Sequence, residues 1–299
     1  MQHKAGYVNI FGRPNAGKST LLNALVDERI STTNPKAQTT RHRILGIFND
    51  EFHQIIFSDS PGIIDPKYKL QERMMDQVTD QLDDADIFLL VIDATDKRAI
   101  DTEPNTRYQT LIEKINKSDI PLVIALNKVD RLTQEQVYTM GTKLKGLYPR
   151  SQIIGISALH GFQTDELRQL IQSLLPEHPP YFDKEDISDR DFRFFSAEII
   201  REKIMSNYEE EVPYSTHVVI NSFKEDEKII RIQADILVER ESQKAIIIGR
   251  QGKALKKTGT EARIALEEFL HNKVFLELFV KVKKDWRSDE NLLNNMGYG

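Results

Sequence analysis

The sequence has no cysteine and no long hydrophobic run. The lack of cysteine excludes disulfides, thiolate zinc sites and cysteine nucleophiles, and it is compatible with a reducing cytoplasm. Apolar runs such as Ile87 to Ile92 are far shorter than the roughly 20 residues of a membrane-spanning helix. The start, MQHKAGYVNI, has no apolar core of a secretory signal. We therefore expect a cytoplasmic protein.

The charge is acidic overall but unevenly distributed. A net charge of −5 over 299 residues argues against nucleic-acid binding by the chain as a whole. From Gln243 to Lys257, however, the sequence has five basic residues and no acidic one. These are Lys244, Arg250, Lys253, Lys256 and Lys257. A local basic stretch therefore lies within an acidic protein.

The first half of the chain predicts an α/β domain. Short β-branched apolar runs, separated by segments long enough for helices, predict a mostly parallel sheet covered on both faces. The runs are Tyr7 to Phe11, His53 to Phe57, Ile87 to Ile92, Leu122 to Leu126 and Gln152 to Ile156. In such sheets, ligands bind beyond the carboxyl ends of the strands.

A proline-containing, charged segment near Pro176 predicts a linker, after which the order of elements changes. The pattern there predicts α-β-β-α-α-β, an α+β domain. The predicted elements are Ala197 to Ser206, Thr216 to Phe223, Ile229 to Val238, Ser242 to Ile248, Lys253 to Leu270 and Val274 to Val282. We thus expect domains at 1–175 and 193–285, a linker at 176–192 and a C-terminal tail at 286–299.

The most specific motif is a phosphate-binding loop. The stretch from Gly12 to Ser19 fits G-x-x-x-x-G-K-[ST], directly after a predicted strand and before an amphipathic helix. Backbone N–H groups and the helix N-terminus would face the phosphates, with Lys18 reaching the β and γ oxygens and Ser19 ligating Mg²⁺. The expected nucleotide contacts are Gly12, Arg13, Pro14, Asn15, Ala16, Gly17, Lys18, Ser19 and Thr20. The alternative, a chance glycine-rich turn, does not account for the flanking strand and helix.

Further elements follow later strands in order. The D-x-P-G stretch from Asp59 to Gly62 places a carboxylate for Mg²⁺ and an N–H for the γ-phosphate. In Asn127-Lys128-Val129-Asp130, the Asp130 carboxylate can accept two hydrogen bonds from guanine, which adenine cannot offer. The stretch Ser157-Ala158-Leu159 would complete the base pocket. The set predicts a guanine-nucleotide site.

With these motifs in order, the sequence resembles the translation-factor-like branch of P-loop GTPases. The run from Lys36 to His42, KAQTTRH, resembles the first switch of that branch, in which a threonine closes on Mg²⁺ and the γ-phosphate. Thr39 and Thr40 are both candidates. Two adjacent threonines in a polar loop have no such meaning without the resemblance.

Ile63 follows Gly62 where Ras-like enzymes have a glutamine that orients the attacking water. An aliphatic side chain cannot orient water by hydrogen bonding, so we expect that the free protein hydrolyses GTP slowly or that another group orders the water. The sequence resembles the GTPases with a hydrophobic residue here, in several of which K⁺ supplies charge in place of an arginine finger. The resemblance implies that Asn15 would ligate K⁺ and so act in catalysis with Lys18 and the switch threonine. Asn15 could instead only shape the loop.

The basic stretch contains a G-x-x-G loop between two predicted helices. Gly249 and Gly252 permit close approach of a sugar-phosphate backbone, as in a KH domain. Arg250 and Lys253 would meet phosphates, and Ile246 to Ile248 would flank the groove for the bases. The candidate RNA-binding residues are Ile248, Gly249, Arg250, Gln251, Gly252, Lys253, Lys256 and Lys257. A surface loop with solvated lysines remains the alternative.

Over nearly its whole length the chain resembles the Era family of bacterial ribosome-assembly GTPases. The resembling stretches are GRPNAGKSTLLNAL, KAQTTRHRI, NKVD, IIGRQGKALK and the tail from Lys284-Asp-Trp286 through Gly297-Tyr298. Ser60 departs from the commoner threonine. The resemblance implies a GTPase domain followed by a type II KH domain that binds 16S ribosomal RNA near its 3′ end.

The same resemblance implies a role in assembly of the small (30S) ribosomal subunit, with GTP or GDP and Mg²⁺ as ligands. It also implies a monomer and peripheral association with the inner face of the cell membrane, although the sequence shows no anchor. One alternative is a nucleotide-gated RNA-binding module with negligible turnover. Another, an ATP-using P-loop enzyme, is opposed by the Asn127 to Asp130 element.

Overall fold

The protein is described here from a computed structural model covering residues 3–36, 38–96, 98 and 107–298. It divides into two compact units. Unit 1 comprises Met1–Ser31, Thr40–Lys67 and Gln71–Asp189. Unit 2 comprises Thr32–Thr39, Tyr68–Leu70 and Arg190–Gly299.

Unit 1 contains a six-stranded sheet with the order β2-β3-β1-β4-β5-β6. β2 pairs antiparallel with β3 and the other pairings are parallel. The strands are β1 Lys4–Phe11, β2 Ile44–Asn49, β3 His53–Asp59, β4 Ile87–Asp93, β5 Leu122–Asn127 and β6 Gln152–Gly155. The predicted mostly parallel α/β sheet is confirmed, and the antiparallel edge strand β2 is an element that the sequence did not predict.

Among the described residues, this part of the chain has the helices α1 Lys18–Val26, α2 Lys69–Asp80, α3 Arg107–Lys117, α4 Gln134–Leu147 and α5 Thr164–Leu174. Each has an apolar side that can be buried. In α1, Leu21, Leu22 and Leu25 are buried, and in α5 the buried apolar pair is Leu167 and Ile171. The spacing of three to four residues along α1 and α5 places these side chains on one helix face.

The parallel register gathers the ends of four strands at one edge of the sheet. β1 ends at Phe11, β3 at Asp59, β4 at Asp93 and β5 at Asn127. Three of these ends carry a carboxylate or amide, and a helix or loop follows each. The edge at which parallel α/β sheets bind ligands is therefore rich in polar side chains.

The segment predicted as a linker lies along unit 1 as far as Asp189. The Gln54 side-chain oxygen accepts hydrogen bonds from the backbone N–H groups of Tyr181 and Phe182 at 2.6 and 3.0 Å. Ile47 N–H donates to the Ile187 carbonyl at 2.9 Å. The exposed backbone edge of β2 is thereby partly paired, which reduces its availability to other chains.

Unit 2 has the α-β-β-α-α-β order that the sequence predicted. Its elements are α6 Phe192–Asn207, β7 His217–Asp226, β8 Ile229–Val238, α7 Glu241–Ile248, α8 Lys253–Leu270 and β9 Val274–Val282, followed by α9 Glu290–Asn295. β7 and β8 pair antiparallel, and β8 and β9 pair parallel. Of the helices in the described residues, none is both long and apolar enough to cross a membrane.

The C-terminal tail is packed into unit 2. Trp286 is fully buried and its indole N–H donates to the Ser215 carbonyl at 3.0 Å. Leu293 in α9 and Tyr298 are also buried. The sequence did not predict α9, a helix of 6 residues, because a helix that short is stable only through its tertiary contacts.

Candidate nucleotide site and RNA-binding loop

The predicted phosphate-binding loop joins the end of β1 to the start of α1. α1 begins at Lys18 directly after Gly17, and no described side chain caps it there. The first N–H groups of a helix have no partner within the helix and carry its positive dipole end. The first turn, which includes Ser19 and Thr20, is therefore suited to an anion.

Lys18 lies beneath this loop and is almost fully buried. Its Nζ donates to the carbonyl oxygens of Gly12 and Arg13 at 3.2 and 3.3 Å. Burial lowers the pKa of Lys18 below its ordinary value, and the negative charge of Asp59 acts in the opposite direction. A phosphate group at the loop would favour the charged ammonium in the same way.

The other residues of the phosphate-binding loop have different surroundings. The Arg13 guanidinium lies over the Tyr108 ring, 4.2 Å from its centroid. Asn15 is exposed and has a left-handed backbone with φ 63°, a conformation that asparagine tolerates better than most residues. Ala16 is buried. Pro14 approaches the loop after β3 so closely that a Cβ on Gly62 would lie 2.9 Å from the Pro14 Cα.

Hydroxyl groups from three parts of the chain converge on Asp59 at the end of β3. Its Oδ2 accepts from Ser19 at 2.7 Å, Ser31 at 3.1 Å and Thr40 at 3.4 Å. The Ser19 and Thr40 hydroxyls are 2.9 Å apart. Burial raises the pKa of Asp59, while Lys18 and the three hydroxyls oppose the increase.

The other carboxylate oxygen of Asp59, Oδ1, is buried and has no hydrogen-bond partner among the described residues. A buried oxygen of this kind needs a partner to offset its lost hydration. Hydroxyl and carboxylate oxygens are the ligands that Mg²⁺ prefers. The residues present therefore fit a magnesium ion.

The two candidate threonines have different surroundings. Thr40 contacts Ser19 and Asp59 as described, whereas the Thr39 hydroxyl donates to the Lys36 carbonyl at 2.8 Å. The hydroxyls of these adjacent residues therefore have different partners. The structure thus brings Thr40, and not Thr39, to the other predicted Mg²⁺ ligands.

Ile63 lies after the D-x-P-G turn, where its N–H faces the Gly12 carbonyl at 3.4 Å. Its side chain is buried and lines a cleft of about 160 Å³ with Met75, Val78 and Leu82 of the α2 region and Leu111 of α3. The neighbouring Ser60 hydroxyl donates to the Ile10 carbonyl at 3.1 Å, so the serine in place of threonine retains a role in the turn.

The Asn127 side chain forms hydrogen bonds with three loops. Its Nδ2 donates to the Ala16 carbonyl of the phosphate-binding loop at 2.8 Å. Its Oδ1 accepts from the backbone N–H groups of Lys128 at 2.8 Å and Ala158 at 3.0 Å. One buried amide thereby holds three of the predicted motifs in register, and each was identified separately in the sequence.

Lys128 and Asp130 follow Asn127 in the same motif. Lys128 Nζ donates to the Asn15 carbonyl at 2.8 Å and to Asp93 Oδ2 at 2.5 Å. The nearby Ser157 hydroxyl is the main cause of a lowered pKa of Asp130, with a further contribution from His160. Asp130 is therefore ionised at neutral pH, as bidentate recognition of guanine requires. Leu159, by contrast, is 71% exposed.

In unit 2 the G-x-x-G loop joins α7 to α8. Gly249 has φ 70° and ψ 177°, a region that only glycine populates readily. A Cβ there would also lie 2.6 Å from that of Ala254. α8 begins at Lys253 after Gly252 without a side-chain cap. The Lys253 N–H donates to the Arg250 carbonyl, so the N–H groups suited to an anion are those that follow it in the first turn.

The basic side chains of the loop face solvent. Arg250, Gln251, Lys253, Lys256 and Lys257 are exposed. Lys257 lies 3.8 Å from Glu261. Within the described part of the chain, Arg250, Lys253 and Lys256 have no carboxylate within salt-bridge distance. Their positive charge is thus available to a phosphate backbone.

The apolar flank of the loop differs from the prediction. Ile246 is 50% exposed, but Ile247 is fully buried in the core of unit 2, and Ile248 is partly buried against that core. The side chain of Ile247 therefore cannot line a groove. Successive residues of a helix point about 100° apart, so three consecutive residues cannot share one face.

Two residues near the sites were not identified from the sequence. Asp93 holds Lys128, and its position at the end of a buried strand was a signal that could have found it. Tyr208 donates its hydroxyl to the Ile247 carbonyl at 2.7 Å and accepts from Thr258 at 3.2 Å. It thereby links α7 to α8 on either side of the loop, and no sequence motif marks this contact.

Comparison with known proteins assigns both halves. The family described as 50S ribosome-binding GTPase matches residues 7–128, and the KH domain family matches residues 211–287. GTPase Era of Geotalea daltonii is 43% identical over 298 residues, which cover 99% of this chain and 98% of the relative. The chain belongs to the Era family of GTPases.

Other relatives extend the match. GTPase Era of a Thermoanaerobacter species is 43% identical over 302 residues, covering 100% of this chain and 97% of the relative. A crystal structure of Era with MgGDPNP and nucleotides 1506–1542 of 16S ribosomal RNA has a TM-score of 0.92, with 39% identity and 99% coverage of both chains. A variant of Aquifex aeolicus Era bound to GDP and AlF₄⁻ has a TM-score of 0.91, with 40% identity and the same coverage.

Substitution of the base-recognising carboxylate tests the predicted base pocket. We expect Asp130→Asn to weaken GTP binding roughly 10- to 100-fold, because a hydrogen bond to a charged group is lost. The same variant should gain affinity for xanthosine triphosphate, whose base presents an acceptor to the new amide. Competition binding with both nucleotides measures the change. An equal loss for both nucleotides would indicate a damaged fold, and unchanged selectivity would refute the assignment of Asp130.

Proposed function

We propose that unit 1 binds GTP with Mg²⁺ and hydrolyses it, and that unit 2 binds 16S ribosomal RNA near its 3′ end during small-subunit assembly. The observation that supports this best is the convergence of Ser19 and Thr40 on Asp59 beside the buried Lys18. A solved relative with 99% coverage holds both MgGDPNP and 16S ribosomal RNA. The same two ligands are proposed for this chain.

Ser19, Thr40 and Asp59 would hold the metal ion. When bound, Mg²⁺ would neutralise the negative charge that develops on the phosphate oxygens. Lys18 and the N–H groups from Gly12 to Thr20 would bind the phosphates, and the Gly62 N–H would meet the γ-phosphate. Asn127 would position the base loops, so that Asp130, with Ser157 and Ala158, selects guanine.

Water activation is the step to which the residue after Gly62 offers no polar group. The buried Ile63 side chain offers neither a donor nor an acceptor, so we propose slow hydrolysis that a bound partner or K⁺ accelerates. Asn15 would hold K⁺ through its side-chain oxygen. The exposed side chain of Asn15 supports this proposal, while its left-handed backbone supports a role in loop shape alone.

The loop of unit 2 would clamp the RNA backbone. The N–H groups at the start of α8 and the charges of Arg250 and Lys253 would meet phosphates, and the exposed Ile246 would contact bases. We propose the domain division 1–175, 176–192, 193–285 and 286–299 as the functional one. A monomer acting in the cytoplasm is the form proposed, and peripheral membrane association stays a prediction from the resemblance.

The first experiment separates a GTPase from a nucleotide-gated RNA-binding module. We expect slow multiple-turnover phosphate release from GTP, accelerated by purified small ribosomal subunits. Lys18→Ala should abolish release because the β and γ phosphates lose their main cation. Absence of release with and without subunits, in a protein that still binds GTP, would favour the binding module.

A second experiment distinguishes the two roles of Asn15. Single-turnover hydrolysis should be several-fold faster in K⁺ than in Na⁺ at equal ionic strength. Asn15→Gly tolerates the left-handed backbone but removes the amide oxygen, so it should lose the K⁺ effect while binding GDP normally. If wild-type rates are equal in both salts, Asn15 does not act through K⁺.

A third experiment tests the RNA loop with a matched pair of variants. A Cβ on Gly252 would meet nothing within 4 Å, and its φ of 73° is one that Asp and Asn both tolerate. Gly252→Asp should weaken binding of a 16S 3′-end oligonucleotide roughly tenfold or more by charge repulsion, and Gly252→Asn much less. GTP affinity should not change. Gly249→Asp adds backbone strain to the charge and is less specific. Equal RNA affinity of Gly252→Asp and wild type would rule out this loop.

A further inference from the structure

Ser31 is a third hydroxyl on Asp59 that belongs to none of the nucleotide-binding motifs. Its Oγ donates to Asp59 Oδ2 at 3.1 Å, and the side chain is 2% exposed. Ser19 and Thr40, the other two donors, are the proposed Mg²⁺ ligands. Ser31 thus contacts the carboxylate without being needed as a ligand itself.

Ser31 is fixed to α1 by a single side chain. Asn23, one turn after Ser19, accepts at Oδ1 from the N–H groups of Ile30 at 3.1 Å and Ser31 at 2.8 Å. Its Nδ2 donates to the Ser31 carbonyl at 2.8 Å. Both backbone groups of Ser31 are therefore held by the helix that carries Lys18 and Ser19. The preceding residue, Ile30, is buried.

The three hydroxyls differ in their dependence on the nucleotide. In P-loop GTPases, contacts with the γ-phosphate and Mg²⁺ order the segment of the switch threonine, and hydrolysis releases it. Thr40 belongs to such a segment, whereas Ser31 is held by the Asn23 side chain of α1. When GDP is bound, Ser31 would still hold the Asp59 carboxylate in place through Oδ2.

We propose that Ser31, which Asn23 holds in place, is a positioning residue for Asp59 and sustains Mg²⁺ binding in the GDP complex. This inference rests on the proposed Mg²⁺-nucleotide site. A hydroxyl that only stabilised the loop would affect GDP binding with and without Mg²⁺ alike. A hydroxyl that orients Asp59 would affect only the contribution of Mg²⁺ to GDP binding.

The test measures dissociation of fluorescent GDP from the full chain over a Mg²⁺ titration and in excess EDTA. We expect Ser31→Ala to need roughly tenfold more Mg²⁺ than wild type for half-maximal slowing, since a hydrogen bond to a charged group is lost. Its dissociation rate in EDTA should equal that of wild type. Ser31→Thr, which keeps the hydroxyl, should restore most of the Mg²⁺ dependence.

Ser151→Ala is the matched control. Ser151 is also a buried serine of unit 1, but its hydroxyl donates to the Tyr148 carbonyl at 2.8 Å. It should leave the Mg²⁺ requirement unchanged. Titration with Mn²⁺, followed by water proton relaxation, gives an independent affinity for the metal in each GDP complex.

Two results would overturn the proposal. One is an unchanged Mg²⁺ requirement in Ser31→Ala, and the other is a loss of GDP affinity that is equal with Mg²⁺ and with EDTA. A wild-type protein whose GDP dissociation ignores Mg²⁺ would instead remove the proposed metal site itself. Failure of the inference and failure of the proposed function are thus distinguished by the wild-type titration.

Discussion

A buried carboxylate at the end of a central strand is the constraint around which unit 1 is organised. Asp59 is fully buried, and burial alone would favour its neutral form. The charge of Lys18 and the hydroxyls of Ser19, Ser31 and Thr40 act against that tendency. Because these groups come from the phosphate-binding loop, the following loop and the switch, stabilising one charge requires all three segments to be in place.

On the side of the site predicted to bind the base, the Asn127 side chain joins separate loops. An amide has both donors and acceptors, so it can join a carbonyl on one loop to N–H groups on two others. The sheet makes this possible, since parallel pairing brings the end of β5 beside the loop that follows β1. The nucleotide motifs are distant in sequence, and the buried side chains of Asp59 and Asn127 are what join them.

Unit 2 has a related arrangement at its G-x-x-G loop. Both α1 and α8 begin directly after a glycine with no side-chain cap, so the first turn of each has N–H groups without a partner inside the helix. In α8 the first of these, from Lys253, donates to the Arg250 carbonyl. In unit 1, the buried Lys18 supplies the cation. In unit 2, the positive charge near the helix start comes from exposed arginine and lysine side chains, an arrangement that would suit an extended backbone with many phosphates. Tyr208 holds the two helices that flank the loop.

The sequence by itself determined the parallel sheet, the second α+β unit, the nucleotide motifs and the G-x-x-G loop. Each depends on residues that are close in the chain, where the spacing of motif residues or the period of apolar residues indicates the local structure directly. The tertiary structure alone decided that Thr40 rather than Thr39 meets Asp59, that Ile247 is buried while Ile246 is exposed, and that β2, Ser31 and Tyr208 take part. These outcomes depend on side-chain direction and on contacts between distant segments, which neither composition nor local spacing encodes.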